Sequence, residues 1–392
     1  MGLRVARKGT AGPRHAERRV SMKSQAKGRF PRRLLAVPFA AAAALAFLIT
    51  AVPAAGLRSG FNKPGDILIS DQYNNRVIEI DPSGRIVWSF GNGPSDLTSG
   101  HSPVGVNDAE RIGGITLVAG TGNPGGFGDC NPGPCPDNRV MLVNRLGLIL
   151  WQYGQFGVTG SDANQLNTPV QATWLPNLHV LITDQANQRV IEVTLAKEIV
   201  WQYGQTGVAG CCADNTLDSP NSAQLLENGH ILIADEGNAR VIEVNRDHHI
   251  VATYTAGGAL GAVAFASRLD NGNTLMTDAD NAAAVEVDAA DNVVWQCSTN
   301  GDPKSNPSPQ PSRAIRLRNG STIISDQYNN RVFVVDHATP CNILTSYGLP
   351  LDSGNNTGFG TMNANQGLNG PYDAKVIGDF TGLTPPRPGN LP

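Results

Sequence analysis

A unit of about 50 residues recurs six times along this chain, and few folds accommodate such a repeat. Clear copies start at Gly65 (GDILISDQYNNRVIEIDPSGRIVWSFG), His179 (HVLITDQANQRVIEVTLAKEIVWQYG) and His230 (HILIADEGNARVIEVNRDHHIVATY). Weaker copies run from Gly114 to Gly154, Asn273 to Cys297 and Ser321 to Gly348. Such a unit cannot bury its own faces and must stack against its neighbours. Each divides into four strands, which in the third unit are Val170–Leu175, His179–Thr183, Arg189–Val193 and Ile199–Tyr203. Their β-branched residues come in short runs, as sheet positions buried on both faces require. The expected fold is therefore all-β: a six-bladed β-propeller with four-stranded antiparallel blades. The first unit lacks its strand one, and Tyr372–Ile377 aligns with Val170–Leu175. A C-terminal strand is thus expected to complete the first blade and close the ring.

Several positions recur in nearly every unit, which marks them as structural rather than as a ring of ligand-binding groups. An Asp ends strand two (Asp71, Asp184, Asp235, Asp278, Asp326) and is expected to accept backbone N–H bonds in the turn that follows. Three residues later stands Asn (Asn74, Asn187, Asn238, Asn281, Asn329), expected to take the left-handed conformation of that turn. Next come Arg76, Arg189, Arg240 and Arg331, with Arg139 in the second unit, placed to pair with the Asp. Trp88, Trp151, Trp201 and Trp295 near the end of strand four fill the gaps between blades. The fourth and sixth units put Ala252 and Thr345 there instead.

The pattern D-x-x-N-x-R-V after a short apolar strand resembles the NHL-repeat β-propellers, over residues 65–377. The ending of the first unit, Gly84-Arg85-Ile86-Val87-Trp88, is similar to quinoprotein-type propellers. The resemblance implies the fold but no single activity, because NHL-like propellers include enzymes, receptors and scaffolds. The favoured reading is a ligand-binding or protein-interaction module. The alternative that the resemblance implies is an enzyme: a Ca²⁺-dependent lactonase or other hydrolase, a lyase or a sulfotransferase. Of the seven histidines only His101 sits in a long loop on the expected binding face. No nucleophile elbow, phosphate loop or two-His zinc motif appears.

In such a ring the loops after strand four share one face with the turns between strands two and three. That face carries the long irregular segments 154–168, 204–219, 297–311 and 348–370, and an insert at 121–136 in the second unit. A protein or small-molecule partner is expected there. Aligned strands one give a near-axial alanine: Ala109, Ala172, Ala223, Ala266, Ala314 and Ala374. The residues before it are Asp108, Gln171, Ser222, Phe265, Arg313 and Asp373, and the polar ones form a candidate ligand-binding mouth. Asp108 and Asp373 are candidate Ca²⁺ ligands, against the competing reading of a salt-bridge cluster. Cys130 and Cys135 are placed to close a small disulfide loop in the insert. Cys211 and Cys212 are expected to pair elsewhere or stay free, because a bond between neighbours is strained.

Charge divides the chain. Residues 1–33 hold eleven Lys/Arg against one acid, net +10, while the rest holds 19 bases and 32 acids, net −13. The acidic body excludes nucleic acid as a partner, since phosphates demand a basic face. Residues 34–57 carry no charge and are expected to form an N-terminal apolar helix, since about 20 apolar residues suffice to span a bilayer as a helix. The expected organisation is a basic cytoplasmic leader (1–33), an apolar transmembrane anchor or signal peptide (34–57), the propeller (58–382) and a disordered tail (383–392). The body is accordingly expected outside the cytoplasm, membrane-anchored or secreted, as a monomer.

Overall fold

The computed structural model describes residues 60–125, 130, 133–301, 305–348 and 367–379. The leader, the uncharged stretch and the C-terminal tail lie outside the described residues. Among those described, no helix is long and apolar enough to cross a membrane.

The apolar runs become 24 strands in six four-stranded antiparallel sheets. Blade 1 consists of β24 (Pro371–Val376), β1 (Ile67–Asp71), β2 (Arg76–Ile80) and β3 (Ile86–Phe90). Blade 2 follows with β4 (Val106–Ile112), β5 (Ile115–Asn123), β6 (Cys135–Asn144) and β7 (Ile149–Gly154). In blade 3 the strands are β8 (Pro169–Trp174), β9 (Val180–Asp184), β10 (Arg189–Val193) and β11 (Ile199–Tyr203), within a residue of the expected ones. Blade 4 has β12 (Pro220–Leu225), β13 (Ile231–Asp235), β14 (Arg240–Val244) and β15 (Ile250–Tyr254). Blade 5 has β16 (Val263–Arg268), β17 (Thr274–Asp278), β18 (Ala283–Val287) and β19 (Val293–Ser298). Blade 6 has β20 (Pro311–Arg316), β21 (Thr322–Asp326), β22 (Arg331–Val335) and β23 (Ile343–Gly348).

Each strand one contacts the strands one of both neighbouring blades, so these six strands surround the axis. Apolar residues collect in six layers, one between each pair of adjacent blades. In blade 1 the last strand runs beside the first, with Ala374 opposite Ile69. Turns between strands two and three, and loops after strand four, form what we call the upper face; the other hairpins form the lower face.

The recurrent Asp, Asn and Arg make one buried pin at the upper turns of blades 1, 3, 4 and 6; blade 5 keeps Asp278 and Asn281 but has Ala283 in place of the Arg. In blade 3, Asp184 Oδ2 accepts from Asn187 Nδ2 at 2.8 Å and from Arg189 Nε at 2.8 Å. Its other oxygen accepts from the backbone N–H of Asn167 at 2.8 Å. That N–H belongs to the loop entering strand one and not to the turn that follows, whereas in blade 5 Asp278 Oδ1 does accept the turn N–H of Asn281 at 3.3 Å. The left-handed residue is also one position later than expected: Asn75, Gln188, Ala239, Ala282 and Asn330 have φ between 49° and 58°. The preceding Asn is instead needed as a bridge, its amide also reaching a carbonyl such as that of Gly160 at 2.8 Å. The strand-four end folds tightly over this turn. A Cβ on Gly204 would lie 2.2 Å from the Gln188 carbonyl oxygen, which only glycine avoids.

Blade 2 rearranges the pin. Arg139 pairs with Asp137 two residues before it, and Gly120 stands where a strand-two Asp would be. Asp137 Oδ2 accepts the Val104 N–H at 2.7 Å, so the loop is still tied down. Burial pushes Asp137 and Asp326 up to about 6 against the pull of their arginines. Removing one member of such a buried pair costs about 3–5 kcal/mol because its partner charge stays buried. Asp184→Ala should therefore lower the free energy of urea unfolding by about 3 kcal/mol or more. A loss under about 1 kcal/mol would contradict the pin as a main structural device.

Candidate functional site

The axial ring is where the sequence reading put its candidate mouth, whereas the seams between blades were read as structural. At the axis, strand one of each blade pairs with strand two on one edge and presents its other edge to the centre. Its outward N–H groups must find acceptors there. Asp373 accepts from Ala109 N at 3.4 Å and Asp108 from Ala172 N at 3.2 Å. Gln171 accepts from Ala223 N at 2.6 Å and Ser222 from Ala266 N at 3.1 Å. Four polar residues of the candidate mouth thus each bind the axial alanine of the next blade. A second tier repeats the device, with Glu110 on Trp174 N at 3.0 Å and Gln224 on Arg268 N at 2.8 Å.

The two ring positions that cannot accept a hydrogen bond, Phe265 and Arg313, plug the axis. Arg313 reaches across it to the Ala264 carbonyl at 2.9 Å, Asn221 Oδ1 at 3.2 Å and the Val170 carbonyl at 3.3 Å. Its guanidinium lies 5.2 Å from the Phe265 ring and 4.9 Å from the Tyr372 ring. Tyr372 in turn donates to Asn221 Oδ1 at 3.1 Å, linking blades 1 and 4.

Asp108 and Asp373 do come together, around a cation the sequence reading passed over. Lys375 donates to Asp108 Oδ1 at 2.7 Å, to the Ala109 carbonyl at 3.0 Å and to Asp373 Oδ2. The one available signal was its spacing, two residues after Asp373 and so on the same side of the strand. A Ca²⁺ ion between these carboxylates would have to displace the Lys375 ammonium, which already supplies positive charge there. Burial opposes that charge, yet Asp108, Asp373 and Glu110 hold the Lys375 pKa above the ordinary lysine value. Burial pushes Asp108 up to about 6 and Glu110 well above the carboxylate range, further than Lys375 pulls them down. Beneath lies a cavity of about 10 Å³ lined by Glu110, Gln171, Gln224 and Lys375, enough for one water. Among the described residues no group of three or more His, Cys, Asp or Glu is placed to hold a metal. His101 is exposed in its loop.

The seams differ from one another. At four of them the strand-four Trp donates its indole N–H into the next blade: Trp88 to Arg145 O at 2.8 Å, Trp151 to Leu195 O at 2.9 Å, Trp201 to Arg246 O at 3.2 Å and Trp295 to Ala338 O at 3.0 Å. A strand-three Glu clamps four seams through Arg: Glu79–Arg111 at 2.8 Å, Glu192–Arg246 at 2.5 Å, Glu243–Arg268 at 2.9 Å and Glu286–Arg316 at 2.8 Å. Blade 4 has Ala252 for Trp but keeps the Glu243 clamp; blade 2 has Leu142 for Glu but keeps Trp151. Blade 6 has Thr345 for Trp and Val334 for Glu, so its seam with blade 1 has neither.

That seam holds a cleft of about 770 Å³. Ile69, Ile78, Ile80 and Leu368 form its apolar walls, Tyr347 faces them, and Ser89, Asn92 and Ser346 supply polar groups. The volume lies within the range of about 300–1,000 Å³ that small-molecule sites occupy. Sequence reading recorded Thr345 as a departure but did not connect it with Val334.

Disulfides join Cys130 to Cys135 and, across the seam of blades 5 and 6, Cys297 to Cys341. Cys211 and Cys212 are joined to each other, contrary to the expectation that they pair elsewhere or stay free. Cys212 takes a positive φ of 75°.

No protein-family model matches the chain, and no curated protein matches it. Among solved structures it is similar to a protein of unknown function from Bacteroides caccae, at 15% identity over 70% of this chain and 91% of that one, TM-score 0.49. It is also similar to a streptogramin B lyase, at 11% identity over 74% and 82% of the two chains, TM-score 0.49. A virginiamycin B lyase from Staphylococcus aureus is 12% identical over 76% and 88%, TM-score 0.46. Likeness this distant does not bear on the reading of the site.

The axial carboxyl offers a direct test. Asp108 should titrate near 6 by carboxyl ¹³C NMR. Its folded pKa lies above the unfolded value of about 3.9. Its contribution to stability is therefore fully present below about pH 4 and lost as the pH rises through 6. A midpoint below about 4 would show instead that Lys375 and the Ala172 N–H outweigh burial at Asp108.

Proposed function

We propose that this chain is an extracytoplasmic six-bladed propeller acting as a binding module, with its ligand seated in the cleft between blades 6 and 1. One observation carries the reading: the seam that lacks both the Trp and the Glu–Arg clamp is the seam with a cavity of ligand size. The polar axial residues are committed to neighbouring blades, which leaves them poorly available to a ligand. The cleft walls suit a small amphipathic molecule with an apolar body against Ile78 and Ile80 and a polar end near Ser89 and Asn92. The recurring D-x-x-N-x-R-V pattern supports kinship with NHL-repeat propellers. The basic leader and uncharged stretch support a location outside the cytoplasm, by tether or by secretion.

Closing the seam that holds the cleft separates this reading from others. Thr345→Trp restores the residue found at four other seams and should raise the melting temperature by several degrees, because one buried aromatic is gained. With 2-naphthol as probe in equilibrium dialysis, the wild type should bind one equivalent and the variant at least tenfold more weakly. A folded Thr345→Trp protein that binds 2-naphthol like the wild type would sink the proposal.

A further inference from the structure

Among the described residues thirteen large apolar side chains are exposed, and eleven of them lie at the lower face. Every blade contributes: Ile86; Leu146 and Leu148; Leu178, Ile199 and Val200; Val251; Val293 and Val294; Ile343 and Leu344. Among the described residues only Val158 and Val208 lie in upper loops. All but Leu146 and Leu178 sit at or just before the start of the outermost strand. Preference for β-branched residues in strands does not account for this, because the same strands turn polar halfway up. The residue after the Trp position is Ser89, Gln152, Gln202, Thr253, Gln296 or Ser346. The outer wall of every blade thus carries exposed apolar side chains at its lower end.

The described chain begins beside these side chains. A Cβ on Gly60 would touch Val87 at 3.1 Å, beside Ile86, and Phe61 packs against Trp88 with ring centroids 5.8 Å apart. Two residues, 58 and 59, separate Gly60 from the uncharged stretch 34–57. If that stretch enters a bilayer, so short a link holds the lower rim at its surface.

We propose that the lower rim is a membrane-contacting surface whose apolar side chains rest in the interfacial layer of a lipid bilayer. The proposal rests on the anchored form of the reading above. Bulky apolar groups at the starts of the outermost strands suit the interface, where apolar side chains enter about 5–10 Å while nearby backbone groups still meet water. Large exposed apolar surfaces otherwise mark contacts with other proteins, and a second copy of this chain is the rival occupant. Lying on the membrane by its lower rim, the propeller would turn its long upper loops outward and keep the blade 6–blade 1 cleft open at the side.

The full chain is reconstituted into phosphatidylcholine–phosphatidylglycerol vesicles containing lipid nitroxide-labelled near the top of the acyl chain. An environment-sensitive fluorophore is attached at Leu146→Cys or Ile343→Cys on the rim, or at Val208→Cys above. At least twofold stronger quenching at both rim sites than at Val208 is the expected result. Equal quenching at the three sites would overturn the proposal. Carbonate washing reads the anchor independently. Protein that resists the wash with unquenched rim labels defeats the rim alone, whereas protein that washes off defeats the anchor as well. A dimer in detergent that Ile343→Asp dissociates, with no rim quenching in vesicles, assigns the rim to a second copy and also overturns the proposal.

Discussion

A closed ring of blades leaves six strand edges facing a channel too narrow for bulk water, and their N–H groups must be satisfied from within. In this chain the preceding blade supplies the acceptor. Asp373, Asp108, Gln171 and Ser222 each reach one blade onward to an axial alanine. This explains the polar ring at the centre of an otherwise apolar strand. It also explains why small alanines recur beside it, since the donor they expose must be approached closely. Lys375 then balances two of the carboxylates, and Arg313 fills the space left where Phe265 offers no acceptor. Such groups look like a ligand site when read singly. Read together, they couple neighbouring blades, and the axis is occupied by the protein itself.

The outer halves of the blades are joined differently. There the indole of a strand-four Trp, the Glu–Arg clamp or both cross each of five seams, and the seam of blades 5 and 6 adds Cys297–Cys341. The seam of blades 6 and 1 is tied at its upper turns, where Gln327 donates to Gln72 at 2.6 Å and the Gly370 N–H to Asn330 at 2.8 Å. Its outer half opens into the cleft. A rigid ring with one unfilled seam offers a preformed site without any blade having to move, which lowers the ordering cost of binding.

Much of this was legible in the sequence because each repeat constrains only its own blade. Strand positions in blade 3, the count of six and the Asp–Arg pairing all follow from residues close together in the chain. The gap-filling role of Trp was legible for the same reason. What escaped depends on geometry between repeats. Lys375 meets Asp108 across 267 positions of chain, and Glu243 meets Arg268 only because blades 4 and 5 abut. The left-handed residue was misplaced by one because the Asn side chain was credited with a backbone role when it serves as a bridge. Ala252 and Thr345 looked equivalent as departures. They differ because Glu243 still clamps one seam, while Val334 leaves the other open.

The central claim is that the unfilled outer seam, and not the axis, is where this propeller receives a ligand. A crystal of the protein soaked with 6-bromo-2-naphthol would locate the preferred site through the anomalous signal of bromine. The account predicts a single strong peak between Tyr347 and Ile80. A peak at the axis beside Asp108 and Asp373, with none in the seam, would contradict it.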